Sequence, residues 1–152
     1  MSKKRDKISE KDNIRTLHIK ANKNFKKIIL LAIKNLINKN YIKKSNKKSF
    51  YWHQRQDNDN HLKFINKNSI QSYNFIRALT KPYPCAWVIC NNKKVRLIES
   101  KIISLKTSSI PGKVIYKNNK PIVSCLNGSI LLIKYYFEKN MNLKLKNGDL
   151  LK

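Results

Sequence analysis

Apolar residues recur at helical spacing over the first quarter of the chain. Ile14, Leu17, Ala21, Phe25, Ile28, Ala32 and Leu36 fall on one stripe, and Lys and Asn fill the other face. Ser9 followed three residues later by Asp12 reads as a capping box in which Asp is the shorter variant of the usual partner, so a helix is expected to open at about Glu10. From Asn38 to Ser49 the chain turns polar and Lys-rich, a stretch with nothing to build a core from. A short extended segment, Ser49 to Trp52, then leads into the polar run His53 to Asn60. A second helix is expected from Asn68 or Ser69, with Ile70, Tyr73, Ile76 and Leu79 facing inward, and Pro82 ends it.

Beyond Pro82 the period changes to that of strands. Ala86–Cys90, Lys93–Leu105, Lys113–Tyr116, Pro121–Cys125 and Ser129–Phe137 are rich in Ile, Val and Tyr. Between them stand Asn91-Asn92, Asn118-Asn119 and Asn127-Gly128, pairs that tolerate the positive backbone angles of tight hairpins, so consecutive strands are expected to pair antiparallel. The fold class that follows is α+β: N-terminal helices followed by a small antiparallel OB-like β-barrel, with a simple sandwich as the competing arrangement. Residues 1–48 then form a linking amphipathic helix and polar loop, and residues 49–152 the barrel domain.

Composition narrows this picture without deciding function. At 152 residues one main folding unit is expected. The formal net charge of +26 ordinarily points to nucleic acid or an anionic surface. Here it comes from Lys far more than Arg, in a chain full of Asn and Ile, which is the imprint of AT-rich coding sequence. Solvated Lys on the exposed faces is therefore read ahead of a dedicated nucleic-acid surface, which would favour the planar fork of Arg or interleaved aromatics. Cys85, Cys90 and Cys125 have no paired spacing of the kind zinc or redox sites use, and His18, His53 and His61 are scattered, so no metal is assigned. No secretory signal is recognised, and the longest apolar run, Ile28 to Ile33, is too short to cross a bilayer; a soluble, cytoplasmic protein without membrane contact is expected. Asp57 and Asp59 lie close enough to suggest acid/base chemistry or a divalent ion, but Asn and Asp also dominate ordinary turns, which is the stronger reading.

The segment Tyr73-Asn74-Phe75-Ile76-Arg77-Ala78-Leu79-Thr80-Lys81-Pro82-Tyr83-Pro84-Cys85-Ala86-Trp87 resembles the helix-to-barrel junction of the C-terminal domain of the formyltransferase family, which includes methionyl-tRNA formyltransferase and the sugar-nucleotide N-formyltransferases. Arg55 and Asp57, with Leu62 and Phe64, resemble the family's stretch before that helix. Pro111-Gly112 with Val114 resembles its mid-barrel turn, and Gly128 with Leu131 and Ile133 its late hairpin. Asp12 to Leu17 is similar to the start of the helix that follows the family's catalytic domain. One departure stands at Cys85, where the family usually has Gly.

The resemblance implies that the catalytic residues and the folate pocket lie on an N-terminal Rossmann-like domain with no counterpart in these residues. This chain is then expected to bind no cofactor itself, although N10-formyltetrahydrofolate is implied for the full enzyme, and to be inactive alone. Implied partners are a separate catalytic domain, a nucleotide-sugar or tRNA, and a second copy in a homodimer. The loop with Arg55 and Asp57 is closer to the sugar-nucleotide branch, where Arg55 is expected to reach the nucleotide diphosphate; pairing of Arg55 with Asp57 or Asp59 is the plain alternative.

Three functional readings follow. As part of a formyltransferase acting with a catalytic chain, the protein should leave its first helix and Phe50, Tyr51 and Trp52 partly exposed. As an independent RNA-binding barrel, it should expose Trp87, Tyr116, Tyr135 or Tyr136 on a Lys-rich face. The third reading is a relic of a decayed gene. Tyr83 and Trp87 are expected to seal the junction of helix and barrel as core.

Overall fold

A computed structural model describes residues 3–40, 50–104, 110–140 and 142–152. The chain divides into two compact units, Met1–Arg55 and Gln56–Lys152.

The first unit is built on α1, Ile14–Ile37. The helix begins four residues later than the Ser9–Asp12 pair suggests. That pair closes a turn of its own, with Asp12 Oδ2 accepting from the Ser9 amide at 2.7 Å. Asn13 is the actual cap: its side chain accepts from the Thr16 amide, and the Thr16 hydroxyl accepts from the Asn13 amide. Asp12 still serves the first turn, accepting from the Thr16 hydroxyl at 2.9 Å and from Lys20 at 2.6 Å. Asn24, the one buried residue of α1, accepts from Lys4 and donates to Asp6, so the helix is tied to the segment before it by polar contacts.

In the second unit a 3-10 turn at Asp57–Asn60 and another at Phe64–Asn66 precede α2, Ser69–Leu79, capped by Asn68 with Gln71 in return. Ile76 and Leu79 are buried and Tyr73 packs on the core as expected, but Ile70 in the first turn of α2 points to solvent. Five strands follow: β1 Ala86–Cys90, β2 Lys93–Ile103, β3 Val114–Lys117, β4 Lys120–Ser124 and β5 Ser129–Phe137. The expected end of β2 at Leu105 lies outside the described residues, as do residues 41–49 of the polar stretch Asn38 to Ser49. Asn91, Asn92, Asn118 and Asn119 all adopt left-handed backbone, so the two Asn-Asn pairs close the β1–β2 and β3–β4 hairpins.

One pairing differs from the expectation that each strand joins the next. The sheet order is β1-β2-β5-β4-β3: β2 pairs with β5 and not with β3. The long β2 and β5 offer the most continuous partners to each other, through a bulge near Glu99. The connection from β2 to β3 crosses to the far edge.

These five strands form an open sheet, without the strand-to-strand closure a barrel requires. Instead, the C-terminal residues tie the two edges. Val114 N donates to Asp149 O and Leu151 N to Gly112 O on the β3 side, while Lys152 and Ile89 of β1 exchange both backbone bonds at 2.7 and 2.9 Å. Gly112 sits at φ +90, and any Cβ there would stand 2.2 Å from Leu151 O, which is why the turn before β3 needs glycine. α2 covers the sheet, and the core runs from Leu62 and Phe64 through Val88, Val95, Leu97, Val123 and Ile130 to Leu145 and Leu151.

Candidate functional site

The most organised polar constellation lies where the 57–60 turn meets β2 and the end of β5. Arg96 on β2 is only 7 % exposed, a place where an unpaired guanidinium is costly. Its Nη1 donates to Asp57 Oδ1 at 2.8 Å and its Nη2 to Glu138 Oε1 at 2.9 Å. Lys94, two residues along the same face of β2, bonds Asp57 Oδ2 at 2.8 Å and lies 3.9 Å from Glu138. Bonds from Arg96 and then Lys94 hold the Asp57 carboxyl down at about 2, against an ordinary 3.8. Burial alone would make the Arg96 guanidinium easier to deprotonate, but its bonds to Asp57 and Glu138 outweigh that and raise its pKa.

Trp87 of β1 anchors the same turn. Its Nε1 donates to Asp57 O at 2.8 Å, His61 stacks on its ring at 4.1 Å, and Lys94 Nζ stands 4.3 Å from the ring centroid. Leu62 N donates to Trp87 O, and His61 Nε2 lies 3.0 Å from Lys152 O. The turn is therefore fixed from three sides, by β1, by β2 and by the C-terminal segment.

Arg55 is exposed and lies two residues before this turn, with Gln56 between them. Asp57 does not wait for it: both carboxylate oxygens are taken by Arg96 and Lys94. Asp59 accepts from the Gln56 amide at 2.8 Å, the turn chemistry expected of it. Arg96, Lys94 and Glu138 were not among the residues singled out from sequence. Arg96 has its partners 39 and 42 residues away along the chain, and among the several charges of β2 nothing local marks it out.

The cysteines are free and buried, and burial pushes all three thiols up, Cys90 to about 11, which disfavours the reactive thiolate. Trp87 is buried, as expected of a junction residue, whereas Tyr83 remains partly exposed. The Tyr116 hydroxyl donates to Leu145 O and the Tyr135 hydroxyl accepts from Leu145 N, so these two side chains hold the C-terminal segment. By contrast Phe50, Tyr51 and Trp52 are at least 90 % exposed, and on α1 Phe25, Leu30, Ile33 and Leu36 stand in solvent. Among the described residues no helix is long and apolar enough to cross a membrane.

Comparison with known proteins gives this arrangement a family. The bifunctional polymyxin resistance protein ArnA of Wigglesworthia glossinidia brevipalpis is 34% identical over 140 residues, which is 89% of this chain and 21% of that protein. HypX from Aquifex aeolicus, solved in complex with tetrahydrofolic acid, superposes with a TM-score of 0.53 at 16% identity over 74% of this chain and 20% of its own. A variant of the same HypX gives 0.52 at 14% identity, again over 74% of this chain and 20% of the other. The chain thus spans about a fifth of the length of these relatives. The family model for the formyl transferase C-terminal domain matches residues 55–148, from Arg55 through the clamped turn, α2 and all five strands, and the chain belongs to that family.

Proposed function

We propose that this chain is the C-terminal part of an N10-formyltetrahydrofolate-dependent formyltransferase acting on a nucleotide-linked amino sugar, and that it serves binding and structure while a Rossmann-like catalytic domain performs the transfer. The formyl donor belongs to that catalytic domain, and no step of the transfer is assigned to a residue here. The observation that carries the reading is the turn at Asp57–Asn60. The family match begins at Arg55, and the residues that follow are held by Arg96, Lys94 and Trp87. A long cationic side chain two residues before this turn is suited to grip a phosphate. Arg55 is the residue for that grip, since its planar fork matches two phosphate oxygens. The exposed face of α1 and the Phe50-Tyr51-Trp52 run are the surface for the catalytic domain.

The test is reconstitution with a catalytic formyltransferase domain. Addition of this chain should raise formyl transfer to the nucleotide-linked amino sugar, and Arg55→Ala should raise the KM for that acceptor about ten-fold with kcat little changed, as for loss of one charged phosphate contact. Unchanged affinity in the variant refutes the role of Arg55; activity toward Met-tRNA alone refutes the acceptor.

A further inference from the structure

A partly enclosed cleft of about 490 Å³ opens beside the charge cluster, framed by the β1–β2 hairpin on one side and by residues 137–140 with Leu143 on the other. Its apolar surface comes from Ile89, Phe137 and Leu143, and its polar surface from Asn92, Asn140, Glu138 and three lysines, Lys93, Lys94 and Lys139. The frame is rigid. Ile89 pairs with Lys94 across the hairpin, Glu138 N donates to Lys94 O at 2.9 Å, and Asn140 N donates to Phe137 O at 3.2 Å. The lone carboxylate among the lining residues, Glu138, is already engaged by Arg96 at 2.9 Å. Lys94 is likewise committed to Asp57. Lys93 and Lys139, both exposed, have no such commitment among the described residues, so two cationic side chains of the lining stand beside its apolar residues.

We infer that this cleft is a binding site for a small amphiphilic anion, a molecule with a compact apolar body and a phosphate or carboxylate head. The volume falls within the range of small-molecule sites, which are mostly apolar with a few placed polar groups. The apolar body would lie on Phe137, Leu143 and Ile89, while the head sits between Lys93 and Lys139, with Asn92 and Asn140 as further donors. Every lining residue belongs to the Gln56–Lys152 unit, and Arg55 is not among them.

Three probes separate the two contributions in titrations of the whole chain followed by amide chemical shifts: hexyl phosphate, inorganic phosphate and hexanol. Hexyl phosphate should bind more tightly than either of the others and move the signals of Asn92, Lys93, Lys139 and Leu143 together. The double variant Lys93→Ala, Lys139→Ala should weaken hexyl phosphate about ten-fold, as expected for two exposed ammonium contacts, while leaving hexanol unaffected. Leu143→Asn should weaken hexyl phosphate and spare inorganic phosphate. Equal affinity for hexyl phosphate and inorganic phosphate would overturn the proposal, since it would mean charge attraction alone. Shifts confined to α1, or unchanged binding in the double lysine variant, would overturn it equally. Because the readout is binding to this chain without a catalytic domain, failure of the formyltransferase reconstitution leaves the result interpretable.

Discussion

At the scale of single residues, two positions carry consequences that can be measured directly. Cys85 has φ +72 in a fully buried site, where a side chain costs about 1–2 kcal/mol in the left-handed region relative to glycine. The usual order of substitutions should therefore reverse: Cys85→Gly is expected to be about 1 kcal/mol more stable than Cys85→Ala in urea unfolding, because Ala keeps the strained angle and loses the thiol's packing. Ala equal to or better than Gly would show that the backbone relaxes. Asp57 gives a pH signature. Its folded pKa, about 2, lies below the ordinary 3.8, so its ion pairs contribute fully above about pH 4 and fade as pH falls toward 2. The carboxylate is 42% exposed, so solvent screening limits the effect to at most about 1 kcal/mol. Thermal melts of the parent and Asp57→Asn should differ at neutral pH and converge near pH 2; a constant difference across that range would remove the ion pairs as the cause. The departure at Cys85 was visible in the sequence against the family pattern, but its meaning, a left-handed angle that persists without glycine, was not. Arg96 was invisible for a different reason: it is one of several charges in β2, and nothing local says that its partners lie 39 and 42 residues away.

At the scale of elements, local chemistry was legible and long-range pairing was not. The Asn-Asn hairpins, the Asn68 cap and the strands rest on residues within a few positions of one another, and all appear close to where spacing puts them. The start of α1 was misplaced because Ser9–Asp12 and Asn13–Thr16 carry similar capping chemistry one turn apart, and both sets of bonds form. The exposure of Ile70 follows from its place in the first turn of α2, outside the arc set by Ile76 and Leu79. The pairing of β2 with β5 and the tie made by residues 149–152 depend on which edges remain free once the hairpins have formed, information that no local window contains. That tie also predicts a sensitive point. Gly112→Ala must displace Leu151 O from a 2.2 Å overlap at a φ of +90, and should cost about 2–4 kcal/mol, more than a surface glycine substitution ordinarily does. Gly148, also at positive φ but with open space around a Cβ, provides the control: Gly148→Ala should cost only about 1 kcal/mol. Equal losses in denaturant unfolding would mean that the C-terminal tie is loose in solution.

At the scale of the whole molecule, the two units differ in what holds them. Among the described residues, every member of the buried apolar cluster lies between Leu62 and Leu151, within the second unit. The first unit has instead a helix of 24 residues whose contacts to its own N-terminal segment are polar, through Asn24, Lys4, Asp6, Asp12 and Lys20. Its larger apolar residues, Phe25, Leu30, Ile33 and Leu36 among them, stay in solvent. Single helices in water gain little from propensity alone and usually depend on an apolar face finding a partner surface. The expectation is therefore asymmetric. A fragment of residues 56–152 should unfold cooperatively, with a midpoint within a few degrees of the full chain, and keep the dispersed amide spectrum of the sheet. A fragment of residues 1–55 should show partial helicity that falls gradually on heating. If removal of 1–55 instead abolishes the cooperative transition, α1 covers part of the second unit in solution. Its apolar face would then be committed within the chain and not offered to a catalytic domain. If the 56–152 fragment stands alone, the exposed stripe of α1 is left as surface with no structural task inside this protein, which is the property a linking helix between two domains requires.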